Sequence, residues 1–332
     1  MGSDEIGASL GLSENKVSVS VKSRWLSAYD HFLGRKVEKK GLETEREVTT
    51  HRVVNTALND VIAKAAAVAG DTINRELSEN PEAARRMLSG LARAVRGVDN
   101  LESVLNYGLE DLSHRQIQNN AEMDVTLNAD FLERFESYAE RASTEEARLK
   151  WGSILSSEIR NPGTFSNRAM RVLDEIDKSD AELFQQFCAH RLGDNVPHLL
   201  TALTSHEQVR LERADLLISS ELSYYQTFRE EKLQGKKIWF ANFGDFGLSI
   251  PFDIDLPFTK RRFDDSPHFL DHEGAPNFRI YWLSPVGRAV ASLIDVDELT
   301  TAERFRSLIA AQVGSEEVHL LRRNSAGNVF VL

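Results

Sequence analysis

The sequence predicts a mainly α protein, a helical bundle followed by a smaller α/β unit with winged-helix-like texture. Three observations predict it. Residues 128–193 hold four consecutive amphipathic helical segments joined by short turns. Beyond about Leu203 the pattern changes to short strand-like runs. The length of 332 residues suggests about two domains, each able to bury a core. The boundaries expected on this basis are a flexible lead-in over 1–22, a helical domain over 23–202 and an α/β domain over 203–332.

The lead-in is polar and rich in Ser and Gly, with a weak alternation at Val17–Val21 that suits one short strand. Helical periodicity starts at Trp25. Leu58, Val61, Ile62, Ala65, Ala66 and Ala69 recur at three and four residues and form one apolar face. Asn80-Pro81 starts another helix, with Asn80 as N-cap and Pro81 at the first helical position. Met87, Leu88, Leu91, Ala92 and Val95 are its expected buried face, with Arg85, Arg86, Arg93 and Arg96 solvated opposite.

In the central block, Phe131, Leu132, Phe135, Tyr138 and Ala139 define one helix. Ser143-Thr144-Glu145-Glu146 reads as a capping box opening the next, which should bury Leu149, Trp151, Ile154, Leu155 and Ile159. Asn161-Pro162-Gly163 stops it, because Pro cannot continue the hydrogen-bond ladder and Gly accepts positive φ. Ser166 caps a third helix carrying Val172, Leu173 and Ile176. A second box, Ser179-Asp180-Ala181-Glu182, opens the fourth, with Leu183, Phe184, Phe187 and Cys188 inward.

After a helix from Glu207 to about Leu216, strands are expected at Ile238–Phe240, Phe246–Ile250 and Phe278–Leu283, with a hairpin turn at Gly244-Asp245. Ser284 and Pro285 open a further helix, Thr300 caps a last one, and a terminal hairpin turns at Asn324–Asn328. Helix, hairpin, strand and helix in that order give the winged-helix analogy.

Charge narrows the function classes. The net charge of −11 divides as −1 over 1–121, −6 over 122–202 and −4 over 203–332, so no third of the chain carries the basic excess that phosphate backbones require. One cysteine, Cys188, allows no internal disulfide, and its apolar neighbours suit a buried thiol. No run is apolar and long enough to cross a bilayer, and Met1–Glu5 lacks the basic start of a signal peptide. A cytoplasmic protein without a membrane partner is the expectation.

The chemistry-bearing candidates are few. His268 and His272 stand four apart beside Asp271 and Glu273, but Pro267, Gly274 and Pro276 make this a polar loop rather than a zinc-binding helix. Lys260-Arg261-Arg262 is the strongest local anion contact, weakened at once by Asp264 and Asp265. Gly244-Asp245-Phe246-Gly247 lacks the ending of a phosphate loop, and no nucleophile elbow occurs. Glu145, Glu146 and Glu158 read as solvated helix charges. No catalytic residue and no cofactor is indicated.

Trp151-Gly152-Ser153-Ile154-Leu155-Ser156-Ser157-Glu158, then Asn161-Pro162-Gly163-Thr164-Phe165-Ser166-Asn167-Arg168, then Asp180-Ala181-Glu182-Leu183-Phe184 together resemble the bacterial domain of unknown function 2806. His114–Phe187 carries the likeness, and Leu283–Leu293 is similar to that family's C-terminal end. A looser likeness runs to the alpha-type abortive-infection proteins. The resemblance implies a bacterial protein with a link to phage defence, and supplies no catalytic residue.

Within the motif, Glu158 and Arg168 are the two polar positions that helix geometry does not require. Antiparallel helices around Asn161-Pro162-Gly163 would pair them in a salt bridge. The expected function is a non-enzymatic interaction component of a bacterial stress or anti-phage system. Its partner would be another protein, a second copy of the chain being one option, and nucleic acid is not expected. The alternatives are a winged-helix DNA-binding regulator and an effector hydrolase or nuclease.

Overall fold

The computed structural model describes residues 19–33, 70, 80–114, 126–219, 224–233, 235–253, 270–272, 275–323 and 329–331. The chain divides into two compact units, Met1–Phe165 and Ser166–Leu332. The division falls inside the central block and well before the change of texture near Leu203. Two of the block's four helices belong to each unit. The 58–69 stripe lies outside the described residues.

The first unit holds α1 (Val19–Leu33), α2 (Pro81–His114), α3 (Ala129–Ala139) and α4 (Glu145–Arg160). The start of α1 corrects the expected strand near Val17–Val21. Val21, Trp25, Ala28 and Phe32 recur at helical spacing and are all buried, and that stripe outweighs two-residue alternation. The core is aromatic. Phe135 lies 5.5 Å from Phe32, 5.6 Å from Phe131 and 5.9 Å from Trp151, and Tyr138 stacks on Trp151 at 4.7 Å.

Helices α2 and α4 cross at two glycines. A Cβ at Gly152 would come within 2.8 Å of Tyr107 Cβ and 2.9 Å of the Gly108 nitrogen, so only glycine permits this approach. Beyond the crossing, Asp111 of α2 takes the Ser156 hydroxyl and an Arg160 guanidinium nitrogen at 3.2 Å.

The cap of α4 departs from the expected position by one residue. Thr144 caps α4, accepting from the Ala147 N–H at 3.2 Å, rather than Ser143. Leu149, expected inside, is 46 % exposed.

The second unit opens with α5 (Asn167–Glu175), capped by Ser166 as the sequence indicates, and α6 (Lys178–Cys188). All four predicted helices of the central block are therefore present, with Trp151, Phe184 and Phe187 buried. Ser179 and Asp180 do not cap α6. They hold Arg210 of α7 (Ser205–Arg213), whose Nε donates to Asp180 at 2.8 Å and whose Nη2 donates to Ser179 Oγ at 3.0 Å. The capping box present in this unit joins Thr204 and Glu207 at the start of α7.

The strands form two antiparallel sheets. In one, β7 (Ala275–Trp282) pairs with β1 (Asn195–Pro197), β2 (Tyr224–Thr227) and β6 (Leu270–His272), in the order β1-β7-β2. The other runs β3-β4-β5-β8-β9, built from Arg229–Leu233, Lys236–Phe243, Phe246–Pro251, His319–Arg323 and Val329–Val331.

Gly244 at φ +54 turns β4 into β5, with Phe243 opposite Phe246, and β8 pairs antiparallel with β9, the expected turn at Asn324–Asn328 lying outside the described residues. The 238–250 hairpin and the 278–283 strand, read together as one motif, lie in different sheets. The last hairpin returns from the chain end to pair with β5, a non-local contact with no local signature.

Two helices complete the unit. α8 (Pro285–Ala291) has the predicted Ser284 cap and Pro285, whereas α9 (Glu298–Val313) is capped by Asp297, not Thr300. Phe278, Phe243 and Phe305 sit pairwise at 5.3 Å, with Phe228 5.7 Å from Phe278, and this quartet anchors α9 to both sheets.

Candidate functional site

The two polar motif residues make different contacts from the expected pair. Glu158, at the end of α4, is buried and folds over the loop that follows it. Its Oε1 accepts from the Gly163 N–H at 2.6 Å and its Oε2 from the Phe165 N–H at 2.9 Å. Burial pushes its carboxyl above the usual range, opposed by the backbone N–H groups of Gly163, Phe165 and Thr164. Gly163 has φ +90, the left-handed region that favours glycine, and this turns those N–H groups onto the carboxylate. Asn161–Phe165 is thus a loop wound around a buried acid, and Glu158 is no solvated helix charge.

Arg168 meets Asp215 instead, Nε to Oδ2 at 2.5 Å, with the arginine side chain 65 % exposed. Asp215 is the one non-glycine with positive φ among the described residues, at 61°. Its carbonyl accepts from the Ser284 hydroxyl, and the next residue, Leu216, accepts from the Ser284 N–H at 3.0 Å. The strained residue thereby seats the start of α8. Neither residue of the expected bridge was legible as such, because a carboxylate has backbone donors as well as arginines to choose from.

Lys260, Arg261, Arg262 and His268 lie outside the described residues. His272 falls in β6 rather than a loop, in register with Ala275 of β7. Among the described residues no group of three or more His, Cys, Asp and Glu side chains is placed to hold a metal. Cys188 is buried, and burial pushes its thiol up to about 12, so it stays protonated at neutral pH.

Two further places, both in the second unit, have polar character. The Tyr281 hydroxyl accepts from the Leu203 N–H at 2.9 Å and shares a hydrogen bond with His198 Nε2 at 2.7 Å. The cavity beside it holds only about 10 Å³, the space of one water. A groove of about 540 Å³ runs between α9 and β8, lined by Glu303, Arg304, Arg306, Glu316 and His319. Its two glutamates and two arginines balance, so it presents no strong field of either sign.

The surface of α2 has a more definite chemistry. Of the side chains expected to form its buried face, Leu88, Leu91 and Val95 are 43, 54 and 52 % exposed, and Val98, one turn on, is 51 % exposed. They recur at three, four and three residues and share one face of the helix. Arg85, Arg86, Arg93 and Arg96 are also exposed, and lie roughly 100–180° around the axis from that face.

Further along the same helix, Leu101, Val104, Leu105 and Leu112 are buried where α4 packs. The sequence contained the apolar spacing. It could not show that α4 reaches only the C-terminal part of a helix about 51 Å long.

Residues 91–208 match the family described as Protein of unknown function (DUF2806). The matched segment, a DUF2806 domain, runs from within α2 to the start of α7 and contains the whole His114–Phe187 stretch. No curated protein and no solved structure matches the chain, and no comparison returned an abortive-infection protein. Among the described residues no helix is long and apolar enough to cross a membrane.

Proposed function

We propose that this protein is an interaction component that docks a helical partner on the N-terminal half of α2. One observation carries the reading: four large aliphatic side chains on a single helix face, each about half exposed, at the spacing by which helices pack on one another. These side chains are already about half buried, so covering each removes roughly half of the 1.5–3 kcal/mol of apolar exposure that full burial represents. Glu158 and Arg168 have partners within the fold, in the 161–165 loop and Asp215. The setting proposed, bacterial stress or anti-phage defence, rests on the looser sequence likeness to abortive-infection proteins alone.

The test is a photo-crosslinking amino acid placed at Leu91, and separately at Arg93 on the opposite face, in a bacterial host. A discrete covalent adduct from Leu91 and none from Arg93 is expected. Equal labelling, or none from Leu91, removes the reading. Phage plating on cells carrying the wild type or the Leu91→Glu, Val95→Glu variant tests the setting, with protection expected only from the wild type.

A second reading, a winged-helix DNA-binding regulator, draws on the sheet order β1-β7-β2, in which the last strand lies between the first two. This is fold-level analogy. Among the described residues only α7 stands between β1 and β2, where a winged helix places a helix pair. The net charge of −11 also opposes binding to phosphates. A salt-dependent duplex-DNA shift lost on changing Lys260, Arg261 and Arg262 to Ala would favour this reading over the first.

A further inference from the structure

The exposed stripe on α2 reads the same from either end. Leu88, Leu91, Val95 and Val98 are spaced three, four, three, so a second α2 laid antiparallel sets Leu88 against Val98 and Leu91 against Val95, twice over. A two-fold contact requires such self-complementarity. We propose that the occupant of this face is a second copy of the same chain, its α2 running antiparallel. The proposal rests on the docking reading above and names its partner.

Charge selects the direction. Arg85 precedes the stripe, Asp99 and Glu102 follow it, and all three are exposed. By helical angle Arg85 and Asp99 flank the same side of the stripe, and Glu102 is in line with it. In the antiparallel register, Arg85 of one copy falls opposite residue 101 of the other. That is within two residues of Asp99 and one of Glu102, or about 3 Å along the axis. The arrangement makes two symmetric clusters of opposite charge at the ends of the seam. A parallel pair would instead oppose Arg85 to Arg85 and the carboxylates to each other, which is unfavourable. Arg86 and Arg93 point away from the seam, and Arg96, on the same flank as Arg85, falls opposite Gly90 of the other copy, where no charge stands.

The full chain should sediment as a dimer at micromolar concentration. Leu91→Glu with Val95→Glu should give a monomer with unchanged helical circular dichroism, since both side chains are exposed in the single chain. Arg85→Glu alone, and Asp99→Arg with Glu102→Arg, should each raise the dimer dissociation constant about tenfold or more at low salt. All three reversals together should restore it, because the charges again face their opposites. A wild type that stays monomeric, a dimer indifferent to Leu91→Glu and Val95→Glu, or reversals that fail to compensate would each overturn the proposal. A monomer that still gives a Leu91-specific adduct with a different protein refutes the self-pairing and leaves the docking reading standing.

Discussion

Replacing Glu158 with Ala removes the acceptor for two backbone N–H groups and tests what the motif acid is for. The Phe165 N–H is buried, and a buried donor left without a partner costs about 1–3 kcal/mol. The Gly163 N–H is only partly buried, so water replaces the carboxylate there at a smaller cost. Against these stands a gain, because the variant no longer carries a buried carboxyl whose charge is poorly solvated. The balance is a loss of about 2 kcal/mol, or about thirtyfold in the folding equilibrium. Urea denaturation of the purified chain measures it, and limited proteolysis should find new cleavage at Asn161–Phe165. A change below about 0.5 kcal/mol with the loop still protected would refute the idea that this acid holds the loop.

Three other outcomes follow from the same contacts. Gly152→Ala places a methyl 2.8 Å from Tyr107 Cβ and should destabilise the chain by about 1–3 kcal/mol in the same denaturation assay, whereas an unchanged midpoint would mean that α2 and α4 do not cross there. Arg168→Ala removes an exposed pair with Asp215 and should cost less than about 1 kcal/mol, and a larger loss would point to a buried partner instead. The raised native carboxyl of Glu158 means that the native state holds its proton more tightly than the unfolded chain. The stability linked to this group is therefore fully present below the ordinary value of 4.5 and lost as pH rises through the higher native value. The deficit of Glu158→Gln relative to wild type should accordingly shrink from about pH 4 to about pH 7, and a deficit that widens would show that the backbone N–H groups outweigh burial.

Sequence periodicity located the four helices of the central block, because apolar spacing and helix-ending residues act over one or two turns. Ser166, Asn161-Pro162-Gly163 and Ser284-Pro285 are local devices of this kind, and each sits where its chemistry indicates. Spacing alone does not fix a cap where two candidate side chains stand side by side. Ser143 and Thr144 can both accept from the first turn, and Ser179 and Asp180 were drawn instead to Arg210, thirty residues away in the chain. Nothing within reach of Ser179 announces that arginine.

What the sequence by itself determined is therefore the set of local elements: amphipathic helices over 128–193, the Gly244 hairpin, the terminal β8–β9 pair and the absence of a strong basic field. Only the tertiary structure decided which partner each element takes. It put the 238–250 hairpin and strand 278–283 in separate sheets, gave Glu158 to a backbone loop and Arg168 to Asp215, and left Leu88, Leu91, Val95 and Val98 outside. The physical reason is common to all of these. Helical spacing states that a face is apolar, and a carboxylate states that it needs donors, but neither states what will cover the face or supply the donors. That depends on how far a neighbouring helix extends, and α4 packs against α2 only from about Asn100 onward.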